Sequence, residues 1–137
     1  MGAFRELVQR THLWADPRLL GTPTRIEEGK LAVVELRAGP EMAVDDLGLV
    51  HGGFTFGVAD YAAMLAVNDP YVVLGSSEVR FTAPVRVGDI MRATATVEGV
   101  EGRRRDVGVE VSVGERTVLR GRMACFVLAG HVLRAGG

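Results

Sequence analysis

Asp60 is the most informative residue of the chain. It is the only charge in His51-Gly-Gly-Phe-Thr-Phe-Gly-Val-Ala-Asp-Tyr-Ala-Ala-Met-Leu-Ala-Val-Asn68, a run whose other positions are nearly all apolar or small. A carboxylate buried without a partner is strongly penalised or has its pKa raised. Asp60 therefore implies a partner arginine, a solvent window, or use as a nucleophile or general base. Gly52 and Gly53 stand at the other end of the run. A helix start leaves backbone N–H groups unpaired, and the macrodipole favours developing negative charge there. Without a Cβ, either glycine lets a ligand approach the backbone. The plainer reading is a tight turn into the helix.

Spacing limits how these groups can act together. Gly53 and Asp60 are seven residues apart, about 700° of helical turn, so they share one face. At 1.5 Å per residue they are separated by roughly 10 Å along the axis. An attacking group must come within about 3–4 Å of the carbon whose oxygen the amide holds. One chain cannot easily supply both. Two antiparallel helices related by a two-fold axis can, with Gly52 of one copy facing Asp60 of the other.

The run has helical length, ends at Asp69-Pro70, and is apolar on all sides, so it must be enclosed on all sides. The enclosing material is a curled sheet. Leu31–Arg37 reads as a strand after the Glu28-Gly29 turn and is closed by Gly39-Pro40, before a loop carrying Asp45, Asp46 and Gly48. Ser77–Val85, Ile90–Val97, Val107–Val113 and Arg116–Leu128 are rich in β-formers. In the third of these, Val107, Val109, Val111 and Val113 alternate with smaller or polar residues. Gly88-Asp89, Glu98–Asp106 and Gly114-Glu115 are the turns, which predicts an antiparallel meander. Residues 4–14 are expected to form a short helix with Phe4, Leu7, Val8 and Trp14 on its apolar side, within an N-terminal extension over residues 1–20. The expectation is one strand, one buried helix, then four strands.

The chain has 137 residues, 47% hydrophobic and 24% charged, which fits one domain over 1–137. Sixteen basic against 17 acidic side chains give a net charge of −1, so no global basic surface points to nucleic acid. Cys125 is the only cysteine and lies in an apolar stretch, which predicts a buried, inert thiol and fits a reducing cytoplasm. No signal peptide is expected from Met1-Gly-Ala-Phe-Arg-Glu6, and no apolar run approaches a membrane span. His12 and His131 sit in terminal segments without partners in register, so no metal site is expected.

The pattern of His51-Gly52-Gly53 opening a buried helix, with Asp60 nine residues after the histidine, resembles the hotdog-fold acyl-CoA thioesterases, most closely the phenylacetate-pathway type. Phe81-Thr-Ala-Pro84 and Val87-Gly-Asp89 match the later passage of that family. The resemblance covers roughly residues 20–128. It implies an α+β hotdog fold, one long helix wrapped by a curved antiparallel sheet. It implies that the Gly52 N–H polarises a thioester carbonyl and that Asp60 attacks it or activates water. His51 would support the helix start. The family often has a hydrogen-bond donor six residues before this histidine, where this chain has Asp45. Ser76 and Ser77 are candidates for a hydroxyl that some relatives place opposite the carboxylate.

Gly53 and Asp45 join Ser76, Ser77, Arg103 and Arg104 as candidate substrate contacts, the arginines as a clamp for CoA phosphates. A solvated turn is the simpler explanation of Arg103-Arg-Arg105 and stands ahead of the clamp, and Arg80 and Arg86 are weaker candidates. Phe54, Phe56 and Tyr61 read mainly as packing residues. The implied protein is a homodimer or homotetramer hydrolysing acyl-CoA, with CoA as part of the substrate and no other cofactor. Two other readings stand beside it: a hotdog enoyl-CoA hydratase or dehydratase, and a non-catalytic acyl-CoA-binding module.

Overall fold

The computed structural model describes residues 8–134. Its elements are α1 (Pro17–Leu20), β1 (Thr22–Glu27), β2 (Leu31–Arg37), α2 (Gly52–Val67), β3 (Val72–Phe81), β4 (Ile90–Glu101), β5 (Arg104–Val113) and β6 (Arg116–Val127). A single 3-10 turn, Pro40–Met42, lies between β2 and α2. All strand pairings are antiparallel, in the order β1-β2-β4-β5-β6-β3. The six strands form one curved sheet around α2, which touches every one of them. This is the hotdog arrangement.

The composition of α2 explains the wrapping. Val58, Ala59 and every residue from Tyr61 to Val67 are buried, so no polar stripe is left for water. Alanines make the approach close. Ala59, Ala62, Ala63 and Ala66 of the helix and Ala32, Ala93 and Ala95 of the sheet are all essentially inaccessible. The alternation in β5 has the expected sense, with Val107, Val109 and Val111 turned to the core. Gly121 marks a close strand contact. A Cβ there would collide with the backbone of Glu78 and Val79 on β3, so the β6–β3 pairing needs glycine at this point.

Four expectations are corrected. A second strand, β1, precedes Leu31–Arg37 and forms a hairpin with it through Gly29, whose φ is +73°. β1 reads Thr-Pro-Thr-Arg-Ile-Glu, an edge strand whose proline and polar residues conceal it. Within the described part of residues 4–14 there is no helix; Phe4 and Leu7 lie outside the described residues. The helix comes later, at α1, because Asp16 caps it by accepting from the Arg18 N–H at 2.9 Å, with Pro17 at the first position. Asp16-Pro17 is the start of this helix. β3 begins at Val72 and pairs with β6 at the far edge, so only β4-β5-β6 form a meander. The expected turn at 98–106 shrinks to Gly102-Arg103, with a bulge between Val97 and Gly99. Among the described residues, no helix is long and apolar enough to cross a membrane.

Candidate active site

His51 is the N-cap of α2. Its Nδ1 accepts the Gly53 N–H at 2.7 Å, and its carbonyl accepts the Phe54 N–H at 3.1 Å. In the neutral imidazole, the ring proton is then on Nε2. Gly53 is needed for this cap, because a Cβ there would stand 2.9 Å from His51 Nδ1. The Gly53 N–H is thus engaged by His51 and not turned to a ligand. The first amide of the helix is different. Gly52 is exposed, and its N–H has no acceptor among the described residues. The Phe81 ring lies beside it, 3.4 Å from where a Cβ would be.

Asp60 follows two turns later, roughly 12 Å along the axis from Gly52. Its Oδ1 is buried and has no hydrogen-bond partner. Burial pushes its pKa from the ordinary 3.8 to about 6. No arginine among the described residues compensates it, so the partner-arginine alternative does not hold there. Burial also pushes the Cys125 thiol to about 12, with the negative charges of Asp60 and Asp106 adding to the effect. Cys125 is buried and overwhelmingly protonated near neutrality, the inert state expected of it.

A cavity of about 580 Å³ opens beside Asp60, walled by Met64 of α2, the start of β3, the segment 10–14 and residues 131–132. The N-terminal wall is fixed by Asn68. This residue caps α2 in the left-handed region (φ +56°), which asparagine tolerates, and is 1% exposed. Its side chain accepts the Arg10 N–H at 2.9 Å and donates to the Val8 carbonyl at 2.8 Å. Gln9 adds a donor to the Tyr61 hydroxyl at 3.0 Å. The clamp carries His12 and Trp14 to the cavity, and His131 reaches it from the other terminus. Desolvation lowers the pKa of His12, although the residue keeps an exposed edge.

The remaining sequence candidates are elsewhere in the chain. Asp45 is exposed, and its Oδ1 accepts from the Leu47 and Leu49 N–H groups at 3.0 and 3.1 Å, holding its own loop. Ser76, Ser77 and Arg104 do come together, but in a different depression with Glu98 and Asp106. There Arg104 Nε donates to Asp106 at 2.8 Å. Arg103 stands in the exposed β4–β5 turn. Phe54 and Phe56 pack on the core, and Tyr61 is buried. The cavity walls are not among the sequence candidates. One signal for them exists: an asparagine just past the helix end marks a left-handed cap.

Residues 48–118 match the family model described as "MaoC like domain", slightly more than half of the chain. The chain belongs to the MaoC-like domain family. This MaoC-like domain is 47% identical over 112 residues to the methylthioribose-1-phosphate isomerase of Aquifex aeolicus, covering 82% of the chain and 24% of that protein. It is 29% identical over 101 residues to the transcription factor FapR of Shouchella clausii, covering 74% of the chain and 52% of that protein. The domain thus spans about a quarter and about half the length of these curated relatives. Among solved structures it is similar to the uncharacterized protein PH1136 of Pyrococcus horikoshii, at 54% identity and a TM-score of 0.91, covering 93% of this chain and 98% of that one. The PaaI protein from the phenylacetic acid degradation operon of E. coli aligns with a TM-score of 0.74 at 26% identity, covering 82% and 83%. The MaoC-like domain has the hotdog fold of these neighbours.

Proposed function

We propose that this domain hydrolyses an acyl-CoA thioester to the free acid and CoA, as a phenylacetate-pathway-type thioesterase with sites shared between two copies. The observation that carries this reading is the buried, partnerless Asp60 Oδ1 at a cavity, on the same helix as a free Gly52 N–H that lies roughly 12 Å away along the axis. The free Gly52 N–H is the missing half. In the dimer, Gly52 of one copy polarises the thioester carbonyl, and Asp60 of the other attacks the carbon or takes a proton from an attacking water. The C–S bond breaks, the thiolate takes up a proton, and water supplies the oxygen of the product acid. His51 keeps the helix start in place. The reaction draws on no metal or redox cofactor, and CoA enters with the substrate. The unpaired edge of β3 is the natural seam for a second copy. Further pairing of dimers and a cytoplasmic location belong to the same proposal, as does substrate contact by Asp45, Ser76, Ser77, Arg103 and Arg104 across the assembled interfaces, and by Gly53 through its Cα, its N–H being held by His51. The structural similarity to PaaI supports this choice among hotdog activities.

One observation favours a second reading. Asp60 and His12 line the same cavity, and a carboxylate with an imidazole is what an enoyl-CoA hydratase needs for proton transfer at the acyl chain. A panel of saturated and enoyl-CoAs separates the two: hydrolysis releases free thiol, hydration removes unsaturation and releases none. Binding with neither change means a non-catalytic module. Sharing of the site is tested by mixing Asp60→Asn chains with Gly52→Pro chains. Proline is tolerated at the first helical position and removes the donor. In a 1:1 random mixture about half the dimers are hybrid, each with one intact site, so activity returns to about a quarter of wild type. No recovery despite subunit exchange refutes the shared site.

A further inference from the structure

The donor and the carboxylate each have apolar neighbours that one chain leaves uncovered. At the donor end, the Phe81 ring beside Gly52 is 55% exposed. The loop leading to the helix adds Val44, Leu47 and Leu49, with Leu47 at 81%. At the carboxylate end, the mouth of the cavity has Leu13, Tyr71 and Trp14, the last 99% exposed. Isolated apolar residues on a surface mean little, but clusters mark contact surfaces. Here one cluster flanks each half of a divided site.

The geometry of the reaction brings the two clusters together. A carbonyl oxygen held by Gly52 is about 3 Å from the amide nitrogen. The attacking oxygen is about 3–3.5 Å from the carbonyl carbon. Phe81, packed beside Gly52, then stands within roughly 10 Å of the carboxylate that attacks. The cavity lies beside that carboxylate. The ring, and the loop that runs through Leu49 and Val50 into the helix start, therefore come to the cavity with Gly52.

We propose that Phe81 and the Leu47–Leu49 loop of a second copy close the cavity beside Asp60, meeting Leu13, Trp14 and Tyr71 to form the outer wall of the acyl pocket. This rests on the shared-site reading. The wall excludes water from the carboxylate and places an aromatic ring against the acyl group, which makes Phe81 a specificity-determining residue for the other copy's site. A second copy is the occupant because the approach of Gly52 already brings this surface to the rim.

Trp14 is the only tryptophan in the chain, so its emission reads the contact directly. In the assembled protein, emission is expected to be blue-shifted and acrylamide quenching several-fold weaker than for N-acetyltryptophanamide. Phe81→Ala is expected to raise the quenching several-fold while sedimentation still reports a dimer. The same variant should lose more kcat/KM on longer acyl-CoAs than on acetyl-CoA. Leu47→Ser, on an exposed loop, gives the same quenching readout if Phe81→Ala does not fold. A dimer whose Trp14 is as quenchable as the free amide overturns the inference and leaves the shared site standing. An active monomer overturns both.

Discussion

Replacing Asp60 by asparagine is expected to stabilise the fold, and only above a certain pH. In the unfolded chain this carboxyl ionises near its ordinary 3.8, and in the folded chain near 6. Below about pH 4 both states hold the proton and folding incurs no charge penalty. As pH rises from about 4 to about 6 the unfolded state loses its proton first, and stability falls until both states are ionised. The difference of about two pKa units corresponds to about 3 kcal/mol. Partial contact of the carboxylate with solvent reduces this to about 2 kcal/mol. The asparagine side chain still leaves a polar group in the same place, so the comparison isolates the charge. For a domain of this size the gain amounts to roughly 5–10 °C in Tm. Thermal melts of both proteins, at one fixed concentration because assembly contributes to stability, are run at about pH 4 and about pH 8. The Tm of Asp60→Asn relative to wild type should rise between the two conditions, while turnover falls by orders of magnitude. A Tm difference that is the same at both pH values would refute the claim that burial of charge penalises Asp60. The same pKa predicts that wild-type kcat/KM falls as pH drops below about 6, where the carboxylate is lost.

Three further perturbations address the surroundings of the site. His51→Ala removes the acceptor for the Gly53 N–H and should cost about 1 kcal/mol in denaturant melts, the usual value of a helix cap. Asn68→Gly keeps the left-handed cap, which glycine favours, but deletes both clamps on the N-terminal segment; protease should then cut within residues 8–14, and KM should rise more than kcat falls. Asp45→Asn retains the oxygen that holds the loop and should leave stability unchanged while moving the acidic limb of kcat/KM to lower pH, because the proposed interface brings this loop and its charge to the other copy's Asp60. An unchanged limb would take Asp45 out of the site.

The legible parts of the molecule are those written in local patterns. The central helix is bounded in the sequence by His51 and Asn68 because an all-apolar run has sharp edges, and both residues are its caps. β2 and β6 are readable almost to the residue, and the inward face of β5 to the side chain, because valine alternation is a period-two signal. Asp60 is conspicuous for the opposite reason: it contradicts its surroundings. What stays hidden depends on pairing between distant segments. Nothing local in Val72–Phe81 says that its partner is β6 and not β4. The walls of the cavity come from both termini, and the N-terminal one is held against α2 by Tyr61 and Asn68, far from it in sequence. The polar character of Thr22–Glu27 disguises a strand that needs only one neighbour.

The far-edge position of β3 sets the order in which the chain can complete itself during synthesis. β3 is finished at Phe81, yet its only partner strand begins at Arg116. While the intervening chain is made, β3 has both edges open and nothing to pair with. The hairpin of β1 and β2 can close early, and β4 can join β2 as soon as it emerges. The sheet then grows outward through β5 and β6, and β3 is captured last, across the whole width of α2. Pairings of such long sequence separation are slow to form. A nascent chain stalled before β6 would expose an unpaired strand, which is the form most prone to join a neighbouring chain.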